Sequence, residues 1–111
     1  MHILIWEYRV KPDKMPEFEK IYGPGGEWTR LFERAEGFQG SDLHRDLSSA
    51  QRYIVVDRWE SKEAFESFRE RFRADYGTLD RRCEPLREQE TLLGIFNMIG
   101  SSGKKGRAAK G

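Results

Sequence analysis

The chain has 111 residues, enough for one domain around a single core, and 35% of them are charged although the net charge is only +1. Charges of both signs in near balance describe a mostly solvated surface, which says little about partners and argues against a nucleic-acid-binding body. Of the 20 basic side chains, Lys104, Lys105, Arg107 and Lys110 follow Gly100 with no acid among them, which leaves the body mildly acidic. No apolar run is long enough for a membrane span and no basic n-region precedes an apolar one, so the sequence reads as soluble and cytoplasmic. A lone Cys83 rules out an internal disulfide and suits a reducing compartment, with packing as its expected role.

Residues 2–10, HILIWEYRV, carry Leu4, Trp6, Tyr8 and Val10 on one face and Ile3 and Ile5 on the other, which predicts a strand buried on two sides. Asp13 is placed to cap a helix with Met15, Phe18 and Tyr22 at helical spacing; Pro16 falls in its first turn, where a missing N–H does no harm. The stretch IYGPGGEW, residues 21–28, then sets three glycines and a proline in a row. Neither G-x-G-x-x-G nor G-x-x-x-x-G-K-[ST] can be written on it, so it reads as a helix stop and restart rather than a phosphate cradle. Trp28 and the piece behind it, with Leu31, Phe32 and Ala35 on one stripe up to Gly37, are expected to form a second helical piece that the glycines redirect.

Residues 38–46 and 52–60, joined by a polar turn, predict a β-hairpin whose second strand is the more apolar and the more central. Ser61 is an N-cap candidate for a helix bearing Phe65, Phe68, Phe72 and Tyr76 on one stripe, and Gly77 is expected to break it. Residues 89–99 read as a last strand, again apolar on both faces. Residues 100–111 have no apolar period and are expected to form a disordered basic tail beyond a domain spanning 1–99. Its four charges are a weak, salt-sensitive handle for nucleic acid, and the body offers no basic face to match.

The order β-α-β-β-α-β, with the first helix split, predicts an α+β, ferredoxin-like fold: a four-stranded antiparallel sheet with helices on one face. Three strands also carry apolar side chains on the other face. A patch of that size is rare on a monomer, so a homodimer is expected in which the two sheets face one another as a barrel.

The segment YIVVDRWESKEAFESF, preceded by GFQGSDLHRD, resembles the antibiotic biosynthesis monooxygenase superfamily of dimeric α/β barrels. The resemblance is carried most specifically by Asp57, Trp59, Ser61, Ala64 and Phe65, with Gly37 and Gly40 before them. It implies the fold over about residues 2–99. Members include oxygenases that attack aromatic substrates without metal or flavin, haem-degrading enzymes, and proteins of no known activity. The haem-degrading branch uses an Asn in the first strand and a Trp and a His in the second helix. This chain has Trp6 or Glu7, Phe68 and, near the third position, Thr78 instead, with only His2 and His44 as histidines.

In that family the cavity lies between sheet and helices. The resemblance therefore implies a lining of Trp6, Tyr8, Phe65, Phe68 and Phe72, with Trp28 and Trp59 beside them, suited to a flat apolar ligand. Aromatic stripes at helical spacing are also ordinary core, and that reading stands beside the functional one. Asp42, His44 and Asp46 alternate along one strand with Phe38 and Gly40, but no further His or Cys completes a metal site, so no metal or cofactor is expected. His44 is the first candidate for a catalytic base, with Asp57 and Tyr76 behind it. Two functions follow: a cofactor-independent monooxygenase acting on a small phenol- or quinol-like aromatic, or a non-catalytic dimeric binding protein for small hydrophobic ligands.

Overall fold

A computed structural model describes residues 1–103 of the chain, and the four cationic residues of the expected tail lie outside them. Strand β1 (His2–Val10) occupies the predicted span and is followed by a 3-10 turn (Pro12–Lys14), helix α1 (Met15–Tyr22) and helix α2 (Glu27–Glu33). The hairpin strands are β2 (Phe38–Arg45) and β3 (Arg52–Trp59). Helices α3 (Lys62–Arg71) and α4 (Arg73–Cys83), a 3-10 turn (Glu84–Leu86) and strand β4 (Arg87–Asn97) complete the order. The sheet runs β2-β3-β1-β4, antiparallel throughout, so the predicted α+β ferredoxin-like fold is the fold found and β3 is a central strand. No helix among the described residues is long and apolar enough to cross a membrane.

Local chemistry explains most boundaries and corrects three expectations. Ser61 caps α3 as predicted, its hydroxyl accepting the Ala64 N–H at 3.0 Å. Asp13 does not cap α1: it sits inside the 3-10 turn, and the residue at the cap position is Lys14, whose side chain makes no capping bond. Gly77 does not end a helix. The interruption falls at Phe72, and the chain then stays helical through Gly77 to Cys83. One helical glycine costs about 1 kcal/mol, less than the burial of Leu79 and Cys83 within the next two turns returns. The last strand begins at Arg87 and ends at Asn97, two residues ahead of the predicted span at each end.

Facing is set by register. Leu4, Trp6 and Tyr8 lie opposite Asp57, Val55 and Tyr53, so these six share the helix-covered face, while Ile3, Ile5, Ile54 and Val56 point to the other. In β2, Phe38 pairs with Trp59 and Gly40 with Arg58, leaving Gln39 as an extra, bulged residue. The bulge moves Phe38 into the helix layer, where it packs against Phe32 and Trp59, and leaves Asp42 and His44 on the opposite face; the expected common face is thereby broken. The core between sheet and helices centres on Trp59, Phe18 and Phe68, all essentially without solvent contact. On the uncovered side and along β4, Leu93, Ile95 and Phe96 are each about half exposed (48%, 54% and 49%).

Candidate functional site

Between the sheet and the helices lies a small, partly open cavity of about 20 Å³, room for about one water molecule, so a larger ligand enters only by displacing side chains of the wall. Strands supply its floor: Trp6 and Tyr8 from β1, Val55 and Asp57 from β3, Ser41 from β2 and Glu90 from β4. Helices supply its roof: Tyr22 from α1, Trp28 and Phe32 from α2, and Tyr76 from α4. Trp28 reaches that position because the chain turns between Tyr22 and Glu27. Gly25 takes a left-handed φ of 71° there, and a Cβ on Gly26 would overlap the Ile21 and Lys20 carbonyls. The turn thus does what its glycines predicted.

Asp57 is the buried charged residue of the site. It is 6% exposed, and burial, opposed by the Ser41 hydrogen bond and Arg58, pushes its carboxyl up to about 6. The Ser41 hydroxyl donates to Asp57 Oδ1 at 2.7 Å, which fixes the carboxylate facing the cavity. Ser41 and Asp57 are direct cross-strand partners, so the hairpin register makes this pair. At the other end the Tyr8 hydroxyl donates to Glu90 Oε2 at 3.0 Å. Burial raises Tyr8 well above the usual phenol range and Tyr76 to about 12, so both hydroxyls stay protonated. The Trp28 indole N–H, also in the wall, has no hydrogen-bond partner among the described residues although the Cys83 thiol lies beside it.

The expected site residues divide. Trp6, Tyr8, Trp28, Asp57 and Tyr76 meet in the cavity wall. Trp59 and Phe68 do not line it, because they are packed into the core, and Phe65 and Phe72 lie half-buried against that core. Phe68 and Phe72 instead border a separate cleft beside α3. His44 is exposed on the opposite side of the sheet, so it cannot reach a ligand in the cavity of its own chain. His2 packs against Phe65 rather than into the cavity, and Asp42 and Asp46 are engaged by Arg58 and Arg52. Sequence reasoning missed Tyr22, Phe32, Ser41, Val55 and Glu90. For Ser41 the signal was available only through register, since it is the small polar residue opposite a buried acid.

Comparison with known proteins gives a consistent picture. The chain superposes on a mutant of MhuD holding two manganese protoporphyrin IX per active site, at 27% identity and a TM-score of 0.69, over 94% of this chain and 100% of that one. It likewise matches a Bordetella bronchiseptica protein ascribed to the antibiotic biosynthesis monooxygenases (24% identity, TM-score 0.72, 88% and 96% covered). A third match is a mutant of SnoaB, a cofactor-independent oxygenase from Streptomyces nogalater (19%, TM-score 0.69, 93% and 97%). A search of curated proteins finds no match. Residues 1–73, which include β1, the hairpin with its Ser41–Asp57 pair and all of α3, fit the family model described as antibiotic biosynthesis monooxygenase. With that fit over most of the chain, and with the fold and cavity agreeing, the chain belongs to the antibiotic biosynthesis monooxygenase family.

Proposed function

We propose that the chain is a cofactor-independent monooxygenase acting on a small phenol- or quinol-like aromatic in this cavity. The observation that carries the reading is Asp57, a buried carboxylate tuned to about 6 and facing a space walled by six aromatic rings. Its task is proton removal. Against a phenol near 10, transfer to a carboxylate at 6 is uphill by about 5 kcal/mol, well inside the roughly 17 kcal/mol barrier of a turnover per second. An ordinary aspartate near 3.8 would face about 3 kcal/mol more. The resulting anion gives one electron to O2, the radical pair joins as a carbon–oxygen bond, and the peroxide takes the proton back from Asp57 and loses water. A ring C–H conjugated with the hydroxyl ends as C=O, so that a quinone forms; this hydrogen and the phenolic one leave with one oxygen as water, the substrate yielding four electrons and O2 taking four. The protein supplies a base, an aligned ring and a largely dry enclosure.

The likeness to SnoaB supports an oxygenase without cofactor. The porphyrin on MhuD favours a different ligand, but neither histidine of this chain lines the cavity, so no axial imidazole is at hand there. A second copy of the chain is proposed as the cover of the apolar sheet face around Ile5, Val56 and Phe96. The test is oxygen uptake with anthrone- and quinol-type compounds. Wild type is expected to consume one O2 per substrate, Asp57→Asn to lose at least 100-fold in rate, and His44→Ala to keep the wild-type rate. If several compounds quench tryptophan fluorescence and none is oxidised, the protein is a binding protein for hydrophobic ligands; if Asp57→Asn retains full rate, the base is another group.

A further inference from the structure

The two polar ends of the cavity are not equivalent. Glu90, an exposed residue, stands opposite Tyr8 in the β1–β4 ladder, and its side chain keeps 28% of its surface in solvent. Its Oε1 lies 3.3 Å from Arg87 Nη2, while Arg87 also pairs with Asp80 at 3.1 Å and donates to the Tyr22 hydroxyl at 3.2 Å. One arginine therefore serves two carboxylates, and the cluster keeps a net negative charge. Arg87 itself does not line the cavity, nor does any other Lys, Arg or His among the described residues. The wall consists of six aromatic rings, two carboxylates, a serine and a valine.

Each of these features favours a positive ligand. Aromatic faces carry the negative part of the ring quadrupole, and a cation over a Trp or Tyr face gains about 0.5–1 kcal/mol in the open and about 2 or more when desolvated. The carboxylates at both ends add attraction of the same sign. A carboxylated ligand meets like charge at either end and finds no cation in the wall itself, since the nearby Arg87, Arg58 and Arg69 are engaged by Asp80 and Glu90, by Asp42 and over the Tyr76 ring. We propose that the cavity takes an aromatic ligand bearing a protonated amine, with the ammonium group against Glu90 and the faces of Tyr8 and Trp6. The Tyr8 and Trp6 rings are stacked with centroids 6.4 Å apart, a surface broad enough for an alkylammonium head.

This rests on the reading of the cavity as the substrate site and narrows the substrate class to phenolic or quinolic amines. Glu90 pairs opposite Tyr8 and Asp57 opposite Leu4, four residues along β1 and on either side of it. The backbones are thus roughly 16 Å apart, a distance shortened by the two inward side chains. The amine and the reacting hydroxyl therefore belong at opposite ends of the ligand. Glu90 is a specificity-determining residue that anchors the far end, and Asp57 remains free for the proton.

The test compares three probes of similar shape: 4-(2-aminoethyl)phenol, 4-propylphenol and 3-(4-hydroxyphenyl)propanoate, each titrated against the tryptophan fluorescence of the full chain at low salt. The amine is expected to bind at least tenfold more tightly than the neutral phenol, and the carboxylate more weakly than both. Glu90→Gln should bring the Kd values of amine and neutral phenol within threefold of one another. In wild type the amine's advantage should shrink as salt rises, which keeps the test open should the variant misfold. An amine bound no more tightly than the neutral phenol, an advantage that survives Glu90→Gln, or no binding of any probe at millimolar concentration would overturn the proposal. Amine preference without oxygen uptake would sink the oxygenase reading alone; uptake without amine preference would sink this one alone.

Discussion

Replacing Asp57 with Asn exposes the conflict between stability and chemistry at the site. Burial moves the carboxyl from 3.8 to about 6, so the folded protein holds this proton more tightly than the unfolded chain does. Between about pH 4 and pH 6 the native state binds the extra proton, and the stability contributed by this group falls as pH rises through that window. Above about pH 6 the full penalty for a buried charge is present, worth about 3 kcal/mol. Asn has the same shape and can still accept the Ser41 hydroxyl, but its new amide donors in the cavity return about 1 kcal/mol of that gain. Asp57→Asn is thus expected to be more stable than wild type by about 2 kcal/mol at pH 7.5 and by almost nothing at pH 4. In thermal terms this is a rise of about 8 °C at neutral pH. Urea titrations of both proteins from pH 4 to 8, followed by circular dichroism, measure the difference directly. A gap between the two that stays constant across this range, or that widens as pH falls, would refute the assignment of Asp57 as a strained, protonatable carboxyl.

Three further outcomes follow from the geometry. Gly77→Ala is expected to stabilise by about 0.5–1 kcal/mol in chemical denaturation, since the new Cβ in mid-helix meets only the flexible end of Arg81 at 3.2 Å. Gly26→Ala is expected to destabilise by about 2 kcal/mol or more and to shift Trp28 fluorescence, because its Cβ runs into two backbone carbonyls that cannot yield without moving α2. Wild type should sediment at about twice the chain mass at micromolar concentration, and Phe96→Asp should sediment as a monomer with unchanged circular dichroism; a monomeric wild type would remove the covered sheet face.

The strands were legible in the sequence because a period of two with apolar residues on both faces fits a doubly covered strand and little else, and the hairpin and the Ser61 cap carried their own chemical signatures. The site was legible in part. Tyr53, Val55, Asp57 and Trp59 alternate on the buried face of β3, and a lone acid in such a row is a visible anomaly. The stripe Phe65, Phe68, Phe72 announced burial correctly, but spacing along a helix cannot tell a ring that fills the core from one that borders a void. His44 was attractive for its chemistry alone, and only the register of β2 against β3 shows which way it points. Glu90 was out of reach for a similar reason, since its pairing with Tyr8 joins residues 82 positions apart.

The bulge at Gln39 gives edge strand β2 a spare link. With Gln39 present, Phe38 and Ser41 both face the helices although three positions separate them. Removing that one residue would restore plain alternation from Ser41 back through Gly40, and Phe38 would slide into the vacated position still facing inward. The hairpin turn, which anchors Ser41 against Asp57 from the opposite end, would not feel the change. The chain can therefore shorten by one residue at this edge without rewriting either the floor of the cavity or the aromatic layer beside it. At this bulge length and facing are decoupled, whereas in the regular part of the strand a one-residue shift turns every side chain on one side of it to the opposite face.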